Sequence, residues 1–146
     1  MTSTLSDNEK IAVFHKIAQA WETKQWRTCV ELMTPDVVLH SMMLQPTNGR
    51  EVIYQRLVKM SPPNKQCKLH IDRVGVIDGA VVVERRDEVI VDDVSRFVPV
   101  VGILSFEGLL VSQWREYYDR ATLVAAQGST SLEAQAEAEA RAKTKQ

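Results

Sequence analysis

The sequence has no surplus of positive charge: 18 Lys+Arg stand against 19 Asp+Glu, for a net charge of -1 at pH 7. Nothing in that balance would condense onto a phosphate backbone or an anionic lipid surface, so neither nucleic acid nor membrane is expected as a partner. Long apolar runs are missing as well. None approaches the ~18 residues a membrane span needs, and the start MTSTLSDNEK carries no basic stretch leading into an apolar one. Cysteine is scarce. Cys29 and Cys67 form no C-x-x-C pair and no Cys/His cluster with zinc spacing, so they read as small buried thiols rather than ligands. An intracellular, cytoplasmic location in a reducing compartment follows as the default. No G-x-S-x-G, H-E-x-x-H, P-loop or dinucleotide fingerprint occurs.

What is present is an ordinary globular composition. At 146 residues, 45% hydrophobic and 25% charged, the chain suits one domain with a single core, spanning 1–146, and lies far from the composition of disordered chains. Ser6 with Glu9 three positions later is the pattern of a capping box. Ile11, Phe14, Ile17, Ala18 and Trp21 follow at helical spacing, leaving Lys10, Lys16, Gln19 and Glu22 toward water. Trp26, Cys29, Val30 and Met33 predict a second short helix, closed by Thr34-Pro35-Asp36. Val37 to Met43 is β-rich and reads as a strand, and Gln45 to Gly49 as a turn. Arg50 to Met60 is helical again, with Val52, Ile53, Leu57 and Met60 on one side. From Cys67 to Tyr118 the chain is strand-like throughout, cut at Asp78-Gly79, at Asp92 to Ser95 and at Glu107-Gly108 into four segments suited to antiparallel pairing. After Leu123 the composition shifts to Ala, Gln, Glu and Ser. The packed core is therefore expected over about residues 7–124, with 125–146 a polar, solvated tail. This order of elements predicts an α+β fold with helices packed on one side of a curved sheet.

Strand alternation singles out three polar residues. Val81, Val83, Arg85, Asp87 and Val89 share one face of their strand, and Leu110, Ser112, Trp114, Glu116 and Tyr118 share one face of the last. If both faces point inward, an arginine and two carboxylates enter an apolar interior from different strands. Burying them unpaired is unfavourable, and two readings stand. One is an acid/base site in which Arg85 keeps one carboxylate ionised while desolvation lets the other hold a proton near neutrality. The other is a structural ion network, or a polar face at the surface. His15, His40 and His70 read as structural; His40 falls on the face opposite Leu39 and Ser41, and His70 has no visible partner. Met42, Met43, Leu44, Val101, Ile103 and Trp114 would supply an apolar pocket wall, the methionines adapting to irregular shapes.

Val83-Glu84-Arg85-Arg86-Asp87-Glu88-Val89 and Trp114-Arg115-Glu116-Tyr117-Tyr118-Asp119 resemble the E-R-x-D and W-R-D-Y-F-D strands of the limonene-1,2-epoxide hydrolase family. That family lies in a wider group of cone-shaped α+β folds that includes ketosteroid isomerases and polyketide cyclases. Asn48-Gly49-Arg50 at a helix start and Gly102 in the penultimate strand fit the same pattern, and the resemblance runs from the first helix to Leu123. It implies a strongly curved mixed sheet with helices on one side, a cone with an internal apolar pocket, and a homodimer. It also implies one-step opening of an epoxide in a hydrophobic small molecule, without metal or cofactor. Carried over by position, Asp87 is the acid that protonates the epoxide oxygen, Arg85 bridges the two carboxylates, and Glu116 stands where the family has the aspartate that takes a proton from water. Leu39, Ser41, Trp114, Tyr118, Met43 and Ile103 would line the substrate and water side.

The departures bear on function. Glu116 is one methylene longer than the family's aspartate, and the family's water-holding Tyr and Asn correspond to Leu39 and Ser41. Leucine cannot orient a water, and serine offers one short hydroxyl, whereas positioning a reacting water contributes orders of magnitude in rate. Three functions are therefore set side by side: limonene-type hydrolysis to a diol; a non-hydrolytic cyclase or isomerase in natural-product biosynthesis, in which a hydroxyl or C–H of the substrate replaces water; and non-catalytic binding of a hydrophobic small molecule.

Overall fold

The computed structural model describes residues 6–144; the polar ends at 1–5 and 145–146 lie outside the described residues. Helix α1 (Asp7–Glu22) starts at the capping box read from the sequence, with Ser6 Oγ accepting from the Glu9 N–H at 3.2 Å and the Glu9 side chain accepting from the Ser6 N–H at 3.4 Å. It buries Val13, Phe14, Ile17, Ala18 and Ala20. The helix closes in a Schellman turn: the Gln25 N–H reaches the Ala20 carbonyl at 2.8 Å and the Lys24 N–H that of Trp21 at 3.2 Å, with Lys24 left-handed at φ 58°.

Helix α2 (Trp26–Glu31) stops short of Met33, which opens strand β1 (Met33–Ser41) rather than extending the helix. Sheet pairing wins over the helical spacing here, since the Val111 N–H donates to the Leu32 carbonyl at 2.9 Å. Pro35 is accommodated because the β1 ladder shifts register between Met33 and Val38, where no bond is asked of its missing N–H. The strand also ends earlier than expected; Met42 and Met43 lie in the following turn, and Met43 is 52% exposed. Strand β2 (Thr47–Asn48) pairs antiparallel with β1, and helix α3 (Arg50–Lys59) turns Ile53 and Leu57 inward while Val52 faces out.

Strands β3 (Lys65–Ile77), β4 (Ala80–Val91), β5 (Val94–Glu107) and β6 (Leu110–Tyr118) form an antiparallel meander. Its turns fall at the breaks seen in the sequence, and Asp92 and Asp93 take φ of 51° and 65°, as a two-residue type I′ hairpin requires. Strand β6 then lies parallel to β1, so the order is β2-β1-β6-β5-β4-β3 in one mixed, open, six-stranded sheet. An extra residue in β3 (Asp72) and another in β6 (Ser112) bend it. The bulge at Ser112 also resets the phase of β6: Val111 and Trp114 both point inward, and Leu110 and Ser112 do not share the Trp114 face as strict alternation predicts. On the free edge of β3, Glu22 turns back from water to accept the Leu69 N–H at 2.7 Å, blunting the edge.

Helices α1 to α3 cover the concave side over a core that includes Phe14, Ile17, Val30, Ile53, Val83, Leu104 and Trp114. Along β5, Val100, Gly102 and Leu104 face this side, so Val101 and Ile103 lie on the outer face and not in a pocket wall. Helix α4 (Arg120–Gln127) begins at Asp119, whose side chain accepts the Thr122 N–H at 3.2 Å, and packs Leu123 and Ala126 against Val89, Val98 and Val100. The packed chain thus continues beyond residue 124: Ala126, Gln127, Thr130 and Ser131 are buried, because a small alanine face fits the valines of the sheet. Past the turn Gly128–Thr130, helix α5 (Leu132–Thr144) leaves residues 136–143 exposed. Among the described residues no helix is long and apolar enough to cross a membrane.

Candidate active site

Strands β4 and β6 are separated by β5, and β5 carries a glycine where their side chains must meet. Gly102 pairs with Val83 on one side and with Glu116 on the other. A Cβ there would lie 2.7 Å from Glu116 Oε2 and 2.8 Å from Arg85 Nη1. The missing side chain is the gap through which the Arg85 guanidinium passes over β5. Arg85 is 4% exposed. It donates from Nε to Asp87 Oδ1 at 2.7 Å, from Nη2 to Asp87 Oδ2 at 3.2 Å and to Glu116 Oε1, and from Nη1 to Glu116 Oε2 at 3.1 Å. Each carboxylate is thereby held through both oxygens by one rigid fork.

Burial works against the charge on Arg85, but Glu116 and Asp87 outweigh it and hold its pKa above that of an ordinary arginine. For Glu116 burial prevails: it pushes the carboxyl above the usual glutamate range although Arg85 pulls the other way, and the charge of Asp87 adds to the push. The indole Nε1 of Trp114 lacks a well-formed hydrogen bond among the described residues, and its pull on Glu116 is the weakest of these influences.

The triad borders a cavity between the sheet and the helices. Its wall takes Leu39 and Ser41 from β1, Lys65 and Cys67 from β3, Val89, Val100 and Tyr118 from the central strands, and Trp21, Ile53, Leu57 and Leu123 from the helices. In the parallel ladder Leu39 stands opposite Trp114 and Ser41 opposite Glu116, so the serine hydroxyl is the polar group that β1 brings beside that carboxylate. Burial pushes the Cys67 thiol up to about 12, with the charge of Asp87 adding to it, so this cysteine serves as wall rather than nucleophile. Among the described residues no three His, Cys, Asp or Glu side chains converge to hold a metal ion.

Residues 8–128 match the model of the limonene-1,2-epoxide hydrolase catalytic domain. The chain belongs to that family. Similar solved structures include an LEH-like epoxide hydrolase from M. tuberculosis, 20% identical over 83% of this chain and 90% of that one, with a TM-score of 0.73. A hypothetical protein with a ketosteroid isomerase-like fold from Catenulispora acidiphila, in complex with trimethylamine, is 17% identical over 80% of this chain and 92% of that one, at a TM-score of 0.70. A candidate SnoaL-like polyketide cyclase from Shewanella denitrificans is 13% identical over 80% of this chain and 95% of that one, also at 0.70. At such identities the likeness is one of fold. No curated protein matches the sequence.

Of the positions that the limonene-1,2-epoxide hydrolase pattern suggested, the fold brings together Asp87, Arg85, Glu116, Leu39, Ser41 and Tyr118. Trp114 sits behind them in the core, with ring centroids 6.4 Å from Phe14 and 5.9 Å from Trp21, and is not part of the cavity wall. Met43 is in the exposed turn and Ile103 on the outer face; apolarity suggested them, and strand phase places them elsewhere. His40 Nε2 bonds the Leu44 carbonyl at 2.9 Å. His70 does have a partner, Glu88 at 2.8 Å across the β3–β4 pair, which only the register reveals. Lys65 was missed because β3 begins two residues before Cys67; extending the alternation Leu69, Cys67, Lys65 backwards is the signal that finds it.

Proposed function

We propose that the protein opens the epoxide ring of a hydrophobic small molecule by adding water, giving a diol. The observation that carries this reading is one buried guanidinium shared by two carboxylates at the wall of a mostly apolar cavity. In the proposed step Asp87 gives its proton to the epoxide oxygen as a ring C–O bond breaks. The oxygen of a water bonds to the freed carbon, and Glu116 takes the proton that water gives up. The substrate gains one water, the two carboxyls exchange protonation states, and solvent resets them. Arg85 keeps its charge throughout and fixes the separation of the acids. The upward shift of Glu116 supports the role of base, because a base of higher pKa draws harder on the water proton wherever it is ionised. Ser41, opposite Glu116, supplies the hydroxyl that would steady the water.

A second reading is favoured by Leu39, whose side chain offers that water nothing. The same acid would open the ring while a hydroxyl of the substrate attacks, or while a C–H loses its proton, to give a cyclised or rearranged product. Incubation with cyclic and terpenoid epoxides in oxygen-18 water, read by mass spectrometry with Asp87→Asn as control, separates the two. Diol carrying one labelled oxygen and lost in the variant supports hydrolysis. Unlabelled product that still depends on Asp87 supports the second reading. Ligand binding without turnover, unchanged by substitution of Arg85, Asp87 or Glu116, would leave a binding protein. The same proposal includes a homodimer, supported by the exposed Phe97 and Tyr117 on the outer face of β5 and β6.

A further inference from the structure

Among the described residues two charged side chains belong to buried positions, Arg85 and Lys65. Arg85 is satisfied by two carboxylates. Lys65 is 7% exposed, lines the cavity, and its ammonium makes no hydrogen bond or ion pair among the described residues. Its ammonium is not sealed from solvent but opens onto the cavity, where a poorly hydrated cation is stabilised by an anion that pairs with it. Burial presses its pKa down, and although Cys67 acts the other way, the charge of Lys24 adds to the pressure.

Lys24 reaches the same end of the cavity. Its ammonium donates to the Pro62 carbonyl at 3.1 Å, the carbonyl that also accepts the Lys65 N–H at 3.0 Å. Lys24 holds the left-handed conformation where a helix end ordinarily has glycine, and so carries a long cationic side chain to a place where none is needed for the turn. Glu22, the nearest acid in the sequence, has Oε1 engaged by the Leu69 N–H. The strand register fixes the spacing: Leu69 is opposite Asp87 and Lys65 opposite Val91, so Lys65 lies four residues farther along the same face, or about 13 Å at the rise of a strand. Cys67 and Val89 fill the apolar wall between.

We propose that the substrate is an amphipathic acid, an apolar body whose carboxylate pairs with Lys65 and Lys24 at one end of the pocket while the reacting ring lies against Asp87 at the other. The assignment of the reacting end rests on the epoxide-opening reading above; that of the anionic end rests on Lys65. A bound carboxylate completes the buried ion pair and is the group that an apolar, neutral ligand would lack.

The test uses decanoic acid and methyl decanoate, neither of which carries an epoxide, titrated into the full chain at neutral pH and followed by tryptophan fluorescence, since Trp21 and Trp26 line the cavity. The acid should bind about tenfold or more tighter than the ester, the scale of one charge-assisted hydrogen bond. Lys65→Met should cut that preference severalfold with the ester's affinity unchanged, leaving what Lys24 alone supplies, and Asp87→Asn should preserve it. Lys65→Gln serves as a second variant, and thermal unfolding verifies that each is folded. Equal affinities in the unaltered protein, a preference undiminished in both Lys65 variants, or binding of neither probe overturns the proposal. These probes cannot be turned over, so their failure leaves the ring-opening reading intact, and failure of the oxygen-18 experiment leaves the acid preference standing.

Discussion

A methyl group added at residue 102 would meet Glu116 Oε2 at 2.7 Å and Arg85 Nη1 at 2.8 Å, two atoms that are pinned to each other. Neither can give way without breaking the fork, so Gly102→Ala should cost about 1–3 kcal/mol in thermal unfolding and about a hundredfold or more in turnover. Gly75→Ala is the control, because a Cβ there meets nothing within 4 Å. Glu116 makes a second prediction, in pH. Burial raises its folded pKa above the ordinary 4.5, so the folded protein keeps this proton longer than the unfolded chain does. The contribution to stability is therefore greatest below 4.5, falls as pH climbs from there through the raised folded value, and is level beyond. Urea midpoints across that window should decline in the wild type and lose this component in Glu116→Gln. Activity moves oppositely, since a base must be ionised; its rise over the same window, absent a matching rise in stability, is the expected signature.

At the scale of elements, the hairpin between β4 and β5 holds two non-glycine residues in the left-handed region, Asp92 and Asp93. Asp93→Gly removes that strain, leaves Asp92 free to keep its bond from Asn64 Nδ2 at 3.1 Å, and should raise stability by up to about 1 kcal/mol in denaturant unfolding. The elements also show what was legible beforehand. Alternation along β4 is unbroken, and it alone puts Arg85 and Asp87 on the inner face. Along β6 the same argument finds Glu116, because the residues after the bulge stay in phase; it fails for Leu110 and Ser112, because an inserted residue leaves no mark in a pattern read two by two. Ile103 was misplaced when apolarity was weighed above phase, since outer faces of sheets are apolar too. Pro62-Pro63-Asn64 mark the turn that ends at Lys65, so the start of β3 is legible; what hides Lys65 is its charge, because an inward lysine interrupts the apolar alternation that begins at Cys67, and the helix read through Met33 gives way to a long-range pairing that local spacing does not contain.

For the whole molecule, the cavity is closed by α4 and not by the chain that follows it. Residues 136–143 are exposed in α5, so ending the chain after Gln135 should move the thermal midpoint by less than about 2 °C and leave the decanoate titration unchanged. What that helix alters is the way the molecule moves through water. Residues 136–143 are an exposed stretch of that helix, about 12 Å long, and exposed helix adds drag out of proportion to its mass. A monomer that carries it is expected to elute somewhat earlier than a compact one of equal mass, which is the direction in which a dimer also shifts. The number of copies in solution must therefore be taken from sedimentation equilibrium, which weighs the particle, and not from an elution volume, which measures its reach.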